Sequence, residues 1–218
     1  MGFKQVVSRY VSFFIVVPSI ILTVLVSANL LYNFQDMTRA SSGSNMLSLT
    51  DVAASLVHEL QKERGMSAGY IGSTGKKFKQ ELVGQRRLVD QRLKEYNAFT
   101  QIYIQDFDDS LRGSINRLTS NLDNLSRIRG RVDQLTIRLP EAFGFYTAQN
   151  KILIDQPLAL IANIDSSGLV RGLIASYNLM QVKERSGIER AVLTNVLAGQ
   201  DFSEGNKKRV YSLIAQQD

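Results

Sequence analysis

Between residues 45 and 72 apolar side chains recur at helical spacing. Met46, Leu49, Ala53, Leu56, Val57, Leu60, Ala68 and Ile71, with Ser67, fall within roughly 80° of Arg64 on a helix turning about 100° per residue. The pattern predicts a helix ending in the loop composition Gly72-Ser73-Thr74-Gly75. A second helix, over 78–107, carries Leu82, Val89, Leu93 and Tyr96 on one side. A third, over 109–139, has a seven-residue row of Leu111, Leu118, Leu125, Val132 and Leu139, with Ile115, Leu122, Arg129 and Thr136 as its companion row. Pro140 fits the first position of another helix, and Asp155 can cap a short segment begun by Pro157. Asp165-Ser166-Ser167 can cap a long helix to about Ala198, which Gly199 stops, and Ser203 can start the last. With no proline between Pro18 and Pro140, the fold class is all-α, built of long helices.

One segment departs from this amphipathic pattern. Tyr10 to Leu31 holds no charged residue, and its length at about 1.5 Å per residue gives roughly 33 Å, enough to cross a bilayer core. Lys4 and Arg9 precede it, so the positive-inside rule places the N-terminus in the cytoplasm. The rival is a signal peptide cleaved after Val26-Ser27-Ala28, but the apolar run continues through Leu30-Leu31. The expected organisation is a cytoplasmic N-terminus (1–9), an uncleaved transmembrane helix (10–31), a juxtamembrane linker (32–44) and an outer helical domain (45–218).

Without Lys4 and Arg9 the basic residues number 24 against 20 acidic, a net of +4 that is spread along the chain. Nucleic acid is therefore not an expected partner of this segment. No cysteine is present, which removes disulfide and thiol chemistry.

An enzyme has little to stand on. His58 is the single histidine, and His58-Glu59 lacks the second histidine of a zincin helix. The glycines around Lys76 fail the phosphate-loop pattern, with Tyr70 five positions before Gly75 and Lys77 where Ser or Thr is required. No nucleophile and base constellation appears, and no metal or cofactor is required.

The arginines are out of place. Arg64 lies in the middle of an apolar face, Arg129 takes a core position in the heptad row, and Arg86 sits beside Leu82, Val89 and Leu93 with Asp90 one turn on. Arg190 lies on the flank of its helix. A buried cation needs either a carboxylate on a neighbouring helix or a small anion. Glu63-Arg64 followed by Gly72 is echoed about 126 residues later by Glu189-Arg190 followed by Gly199, which, if a true repeat, implies two related bundles.

Leu60-Gln61-Lys62-Glu63-Arg64-Gly65-Met66-Ser67-Ala68, Arg129-Gly130-Arg131-Val132-Asp133, Tyr146-Thr147 and Lys183-Glu184-Arg185-Ser186-Gly187-Ile188-Glu189-Arg190-Ala191 resemble the nitrate- and nitrite-sensing (NIT) domain of bacterial receptors over roughly residues 45–216. The resemblance implies two four-helix bundles between membrane helices, feeding a chemotaxis, cyclase, kinase or RNA-binding output. It also implies a final helix beyond Asp218, so that the second bundle is incomplete here. Ser186, inserted between Arg185 and Gly187, departs from the Glu-Arg-Gly form of the first motif.

The expectation is a homodimeric receptor in the bacterial inner membrane whose periplasmic domain binds nitrate or nitrite through Arg64, Arg129 and Arg190. Arg86, Leu60 and Ser67 are secondary candidates. A guanidinium fork can engage two oxygens of planar nitrate as it would a carboxylate. The alternative is a ligand-free structural or dimerisation bundle in which the arginines pair with Glu63, Glu184 or Glu189.

Overall fold

The helix that carries Arg64 ends because its last turn folds back on itself at a glycine. Ser73 and Gly75 donate their N–H groups to the carbonyls of Gly69 (3.0 Å) and Tyr70 (2.9 Å), and Gly75 takes φ +81°, a region that favours glycine. The Ser73 hydroxyl then accepts from the Lys77 N–H at 2.9 Å, and Phe78, at φ +66°, leads into the next helix. The structure, a computed structural model, describes residues 3–161, 164, 166–200, 203–205, 208, 211, 212 and 215; side chains at 3–22 and 28–42 lie outside the described residues.

Among the described residues the elements are helical throughout. They are α1 (Phe3–Gly72), α2 (Lys79–Tyr103), a 3-10 turn (Ile104–Asp106), α3 (Asp109–Leu122), α4 (Leu125–Asp133), α5 (Leu139–Ile161) and α6 (Ser167–Gly199). The chain divides into two units, 1–44 and 45–218. In the second unit α5 packs against both α3 and α6. Leu49, Leu56 and Leu60 of α1, Leu82 and Val89 of α2, Leu118 of α3, Leu153 of α5 and Leu173 of α6 are buried in one core. Each contributes about 1.5–3 kcal/mol over leaving it exposed.

The predicted third helix is in fact two helices and a turn, with Leu139 the first residue of α5. Leu111, Leu118, Leu125 and Val132 hold their row and are buried, but the helix breaks between α3 and α4 and again after Asp133. At the second break Leu135 adopts φ +53° and the Thr136 N–H closes onto the Arg131 carbonyl at 2.9 Å. A heptad row is a statement about which face is apolar, and short helices in sequence can satisfy it as well as one long one. Asp108 caps α3, accepting from the Leu111 N–H at 2.8 Å, and Ser166 begins α6 as expected, with Asp165 outside the described residues. Asp155 caps nothing. It accepts from Lys151 Nζ within α5, which continues through the buried Pro157 to Ile161. Ser203 is described, but most of the segment it was expected to start is not.

The transmembrane expectation is not supported. Among the described residues no helix is long and apolar enough to cross a membrane. Of Tyr10 to Leu31, only the side chains of residues 23–27 are described.

Candidate functional site

Glu63 and Arg64 are consecutive on α1, so their side chains leave the helix about 100° apart and serve different neighbours. Arg64 is 1% exposed and points toward α5 and α6. Its Nη1 donates to Glu184 Oε1 at 2.5 Å and to Thr147 Oγ1 at 2.8 Å, and Nη2 donates to Glu184 Oε2 at 3.2 Å. Glu184 Oε2 also accepts from Gln61 Nε2 (2.8 Å) and Asn150 Nδ2 (3.1 Å). The Phe143 ring lies 5.0 Å from the guanidinium carbon, within cation–π range. The buried Nε of Arg64 has no hydrogen-bond partner. Gly187 explains how α6 comes so close: a Cβ there would stand 3.1 Å from Arg64 Nη2.

Glu63, 0% exposed, is the centre of a second cluster. It accepts from Arg129 Nε (2.7 Å) and Nη2 (2.8 Å) on α4 and from the Tyr146 hydroxyl (2.9 Å) on α5, with Arg86 Nε of α2 at 3.6 Å. The outer ends of both arginines reach exposed carboxylates, Arg129 to Asp90 at 2.6 Å and Arg86 to Asp133 at 2.8 Å on both oxygens. Burial works against the Arg129 charge, yet the hydrogen bonds and charge of Glu63, then of Asp90, outweigh it and hold its pKa above the ordinary guanidinium value. Burial, then the neighbouring Glu63 charge, pushes the Tyr146 phenol well above its usual value.

Of the residues expected to form one anion site, the structure places Arg64 and Arg129 in two separate ion-paired clusters. Arg86 joins the Glu63 cluster. Leu60 is buried in the core, and the Ser67 hydroxyl is buried beside that of Tyr146. Arg190 is exposed on α6, whereas Gly72 and Gly199, the glycines of the suspected repeat, meet directly: a Cβ on Gly199 would lie 2.6 Å from the Gly72 carbonyl oxygen. Gln61, Thr147 and Asn150 were missed as site residues. Their spacing was the available signal, since Gln61 precedes Arg64 by three residues and Asn150 follows Thr147 by three, each pair sharing a helix face.

The family model for nitrate and nitrite sensing matches residues 55–218. A nitrate regulatory protein of Klebsiella oxytoca is 29% identical over 161 residues, covering 74% of this chain and 41% of the relative. A solved structure of the NasR transcription antiterminator matches with a TM-score of 0.75 and 26% identity, over 82% of this chain and 48% of that one. The chain thus spans less than half the length of these relatives. One is named a nitrate regulatory protein and the other a transcription antiterminator. These relatives correct the expected inner-membrane location with a periplasmic sensor domain, and neither supports the expected chemotaxis receptor role.

Proposed function

The chain belongs to the nitrate and nitrite sensing family, and we propose that its 45–218 unit binds nitrate or nitrite at Arg64 as the input of a regulatory protein. The role is binding, not catalysis. The observation that carries this reading is a fully buried guanidinium with one donor uncommitted, set among Gln61, Thr147 and Asn150. Such a cluster offers a planar monoanion several short charge-assisted hydrogen bonds without water. Phe143 and Leu60 disfavour sulfate or phosphate, whose second charge would remain uncompensated. Arg129 and Arg86 act through Glu63 to fix α1 beside the site, and Arg190, being exposed, is left outside it. The relatives' names make control of transcription the output most in keeping with this input.

Calorimetric titration of the full chain with nitrate, nitrite, sulfate and chloride tests the reading. Saturable heat is expected with nitrate or nitrite and not with sulfate. Arg64→Lys keeps the charge but loses the planar fork, and should weaken binding by about 1–3 kcal/mol with helicity retained. The second reading, a ligand-free bundle, is favoured by the ion pairs of Arg64 with Glu184 and Arg129 with Glu63. It predicts no saturable heat with any of the four anions.

A further inference from the structure

The carboxylate of Glu184 has the size, planarity and single charge of the anion assigned to this site. Four hydrogen bonds converge on it, two from Arg64 and one each from Gln61 and Asn150. We propose that Glu184 is a resident competitor: it occupies the donor cradle when the anion is absent, and nitrate or nitrite binds by displacing it. The inference rests on the functional reading above and adds the residue that sets its affinity and charge selectivity.

Three features of the geometry support an exchange. The donors are matched to an anion and not to a glutamate in particular, because each is an N–H group that can also donate to a nitrate or nitrite oxygen. Swapping one monoanion for another leaves the charge beside Arg64 unchanged, whereas a dianion would leave it in excess, so monovalent selectivity follows from what is displaced. The carboxylate also has somewhere to go. Its side chain is 9% exposed, and Gln61, which donates to it, also lines a cavity of about 230 Å³ between α1 and α6, together with Asp51, His58, Ser176, Met180 and Lys183. The Lys183 ammonium at that cavity is a cation suited to an arriving anion or to the departing carboxylate.

Displacement would also carry a signal. Glu184 is on α6, and its bond to Arg64 ties the middle of α6 to α1. Further along, the Asn195 amide donates to the Ala68 carbonyl at 2.9 Å and Gly199 meets Gly72. Loss of the middle tie with the far one kept gives two arrangements of α6, and the anion selects one by its differential affinity.

The test compares nitrate and nitrite affinities of the full chain with those of Glu184→Gln, Glu184→Asp and, as a control for net charge, Glu81→Gln on the exposed surface of α2. Removing the competing charge should tighten binding by at least about tenfold in Glu184→Gln. Shortening the side chain in Glu184→Asp should tighten it less, and Glu81→Gln should change nothing. Nitrate should also raise the melting temperature of Glu184→Gln more than that of the unaltered chain. Should Glu184→Gln not fold, the Asp variant decides alone. Unchanged or weaker affinity in a folded Glu184 variant, with the unaltered chain binding nitrate, overturns the competitor and leaves the sensing reading intact. Tightening of equal size in Glu81→Gln overturns it likewise. Absence of binding in every protein overturns both.

Discussion

Glu63→Gln perturbs a buried group shared by three helices, α2, α4 and α5. The carboxylate is fully buried, accepts two hydrogen bonds from Arg129 and one from Tyr146, and has Arg86 at 3.6 Å. Removing one partner of a buried pair costs about 3–5 kcal/mol, because the other charge is left without compensation. Two arginines are left here. Each keeps an outer carboxylate, Asp90 or Asp133, but these are more than half exposed, and such pairs are worth at most about 1 kcal/mol. The expected loss is therefore about 3 kcal/mol, and a chain of this size loses about 2–4 °C in melting temperature per kcal/mol. Circular dichroism at 222 nm in nitrate-free buffer should show a fall of about 6–12 °C, with urea denaturation giving the same free energy. Arg129→Met should cost less, since Glu63 keeps Tyr146 and Arg86. A Glu63→Gln protein within about 1 kcal/mol of the original would refute the reasoning and make the cluster a solvated one.

Three further outcomes are expected. Gly199→Ala should destabilise by about 1–3 kcal/mol in chemical denaturation, because its Cβ meets the Gly72 backbone, whereas Gly130→Ala, with open space around it, should be neutral or gain about 0.5–1 kcal/mol. Stability should decline above about pH 10, because an unfolded phenol ionises there while the buried Tyr146 and Tyr96 stay neutral. Each adds a loss of up to about 1.4 kcal/mol per pH unit until its raised folded pKa is reached. Absorbance at 295 nm would contradict this if all 8 tyrosines titrated before the helical signal was lost. Arg64→Met should destabilise the anion-free chain by about 3–5 kcal/mol, since Glu184 would be stranded with only two neutral amides; a neutral or stabilising effect would mean that the Arg64–Glu184 pair does not persist in solution.

The faces of the helices were legible in the sequence, but their lengths and partners were less so. Leu49, Ala53, Leu56 and Leu60 are fully buried, as their periodicity requires, and α1 and α6 end at Gly72 and Gly199. The breaks near Asp123 and Leu135 went unseen because neither carries a proline, and the second depends on a leucine at positive φ, which no propensity favours. The two carboxylates were legible only as alternatives. A helical wheel sorts residues by the face of their own helix, and whether Glu184 on α6 lies level with Arg64 on α1 depends on packing 120 residues away in sequence. Arg190 was grouped with the others by its motif, but α6 turns it to solvent.

Adjacency along the chain then acquires a mechanical meaning. Glu63 and Arg64 on α1 face Tyr146 and Thr147 on α5, residue against residue: Glu63 accepts from Tyr146 and Arg64 donates to Thr147. One helical step therefore separates the α2–α4 cluster from the α6 cradle on both helices. A rotation of α1 that loosened Arg64 from Glu184 would draw Glu63 across Arg129 and Arg86, which hold it at 2.7–3.6 Å. The Glu63 cluster thus resists α1 rotation, and an exchange of anion at Arg64 is relieved more readily by movement of α6 than of α1. Freed of Arg129 by Arg129→Met, α1 could share the movement. That variant should alter how nitrate changes the α1–α6 distance, measured between spin labels on exposed sites of the two helices. An identical response in the variant and the original chain would show that the two clusters are mechanically independent.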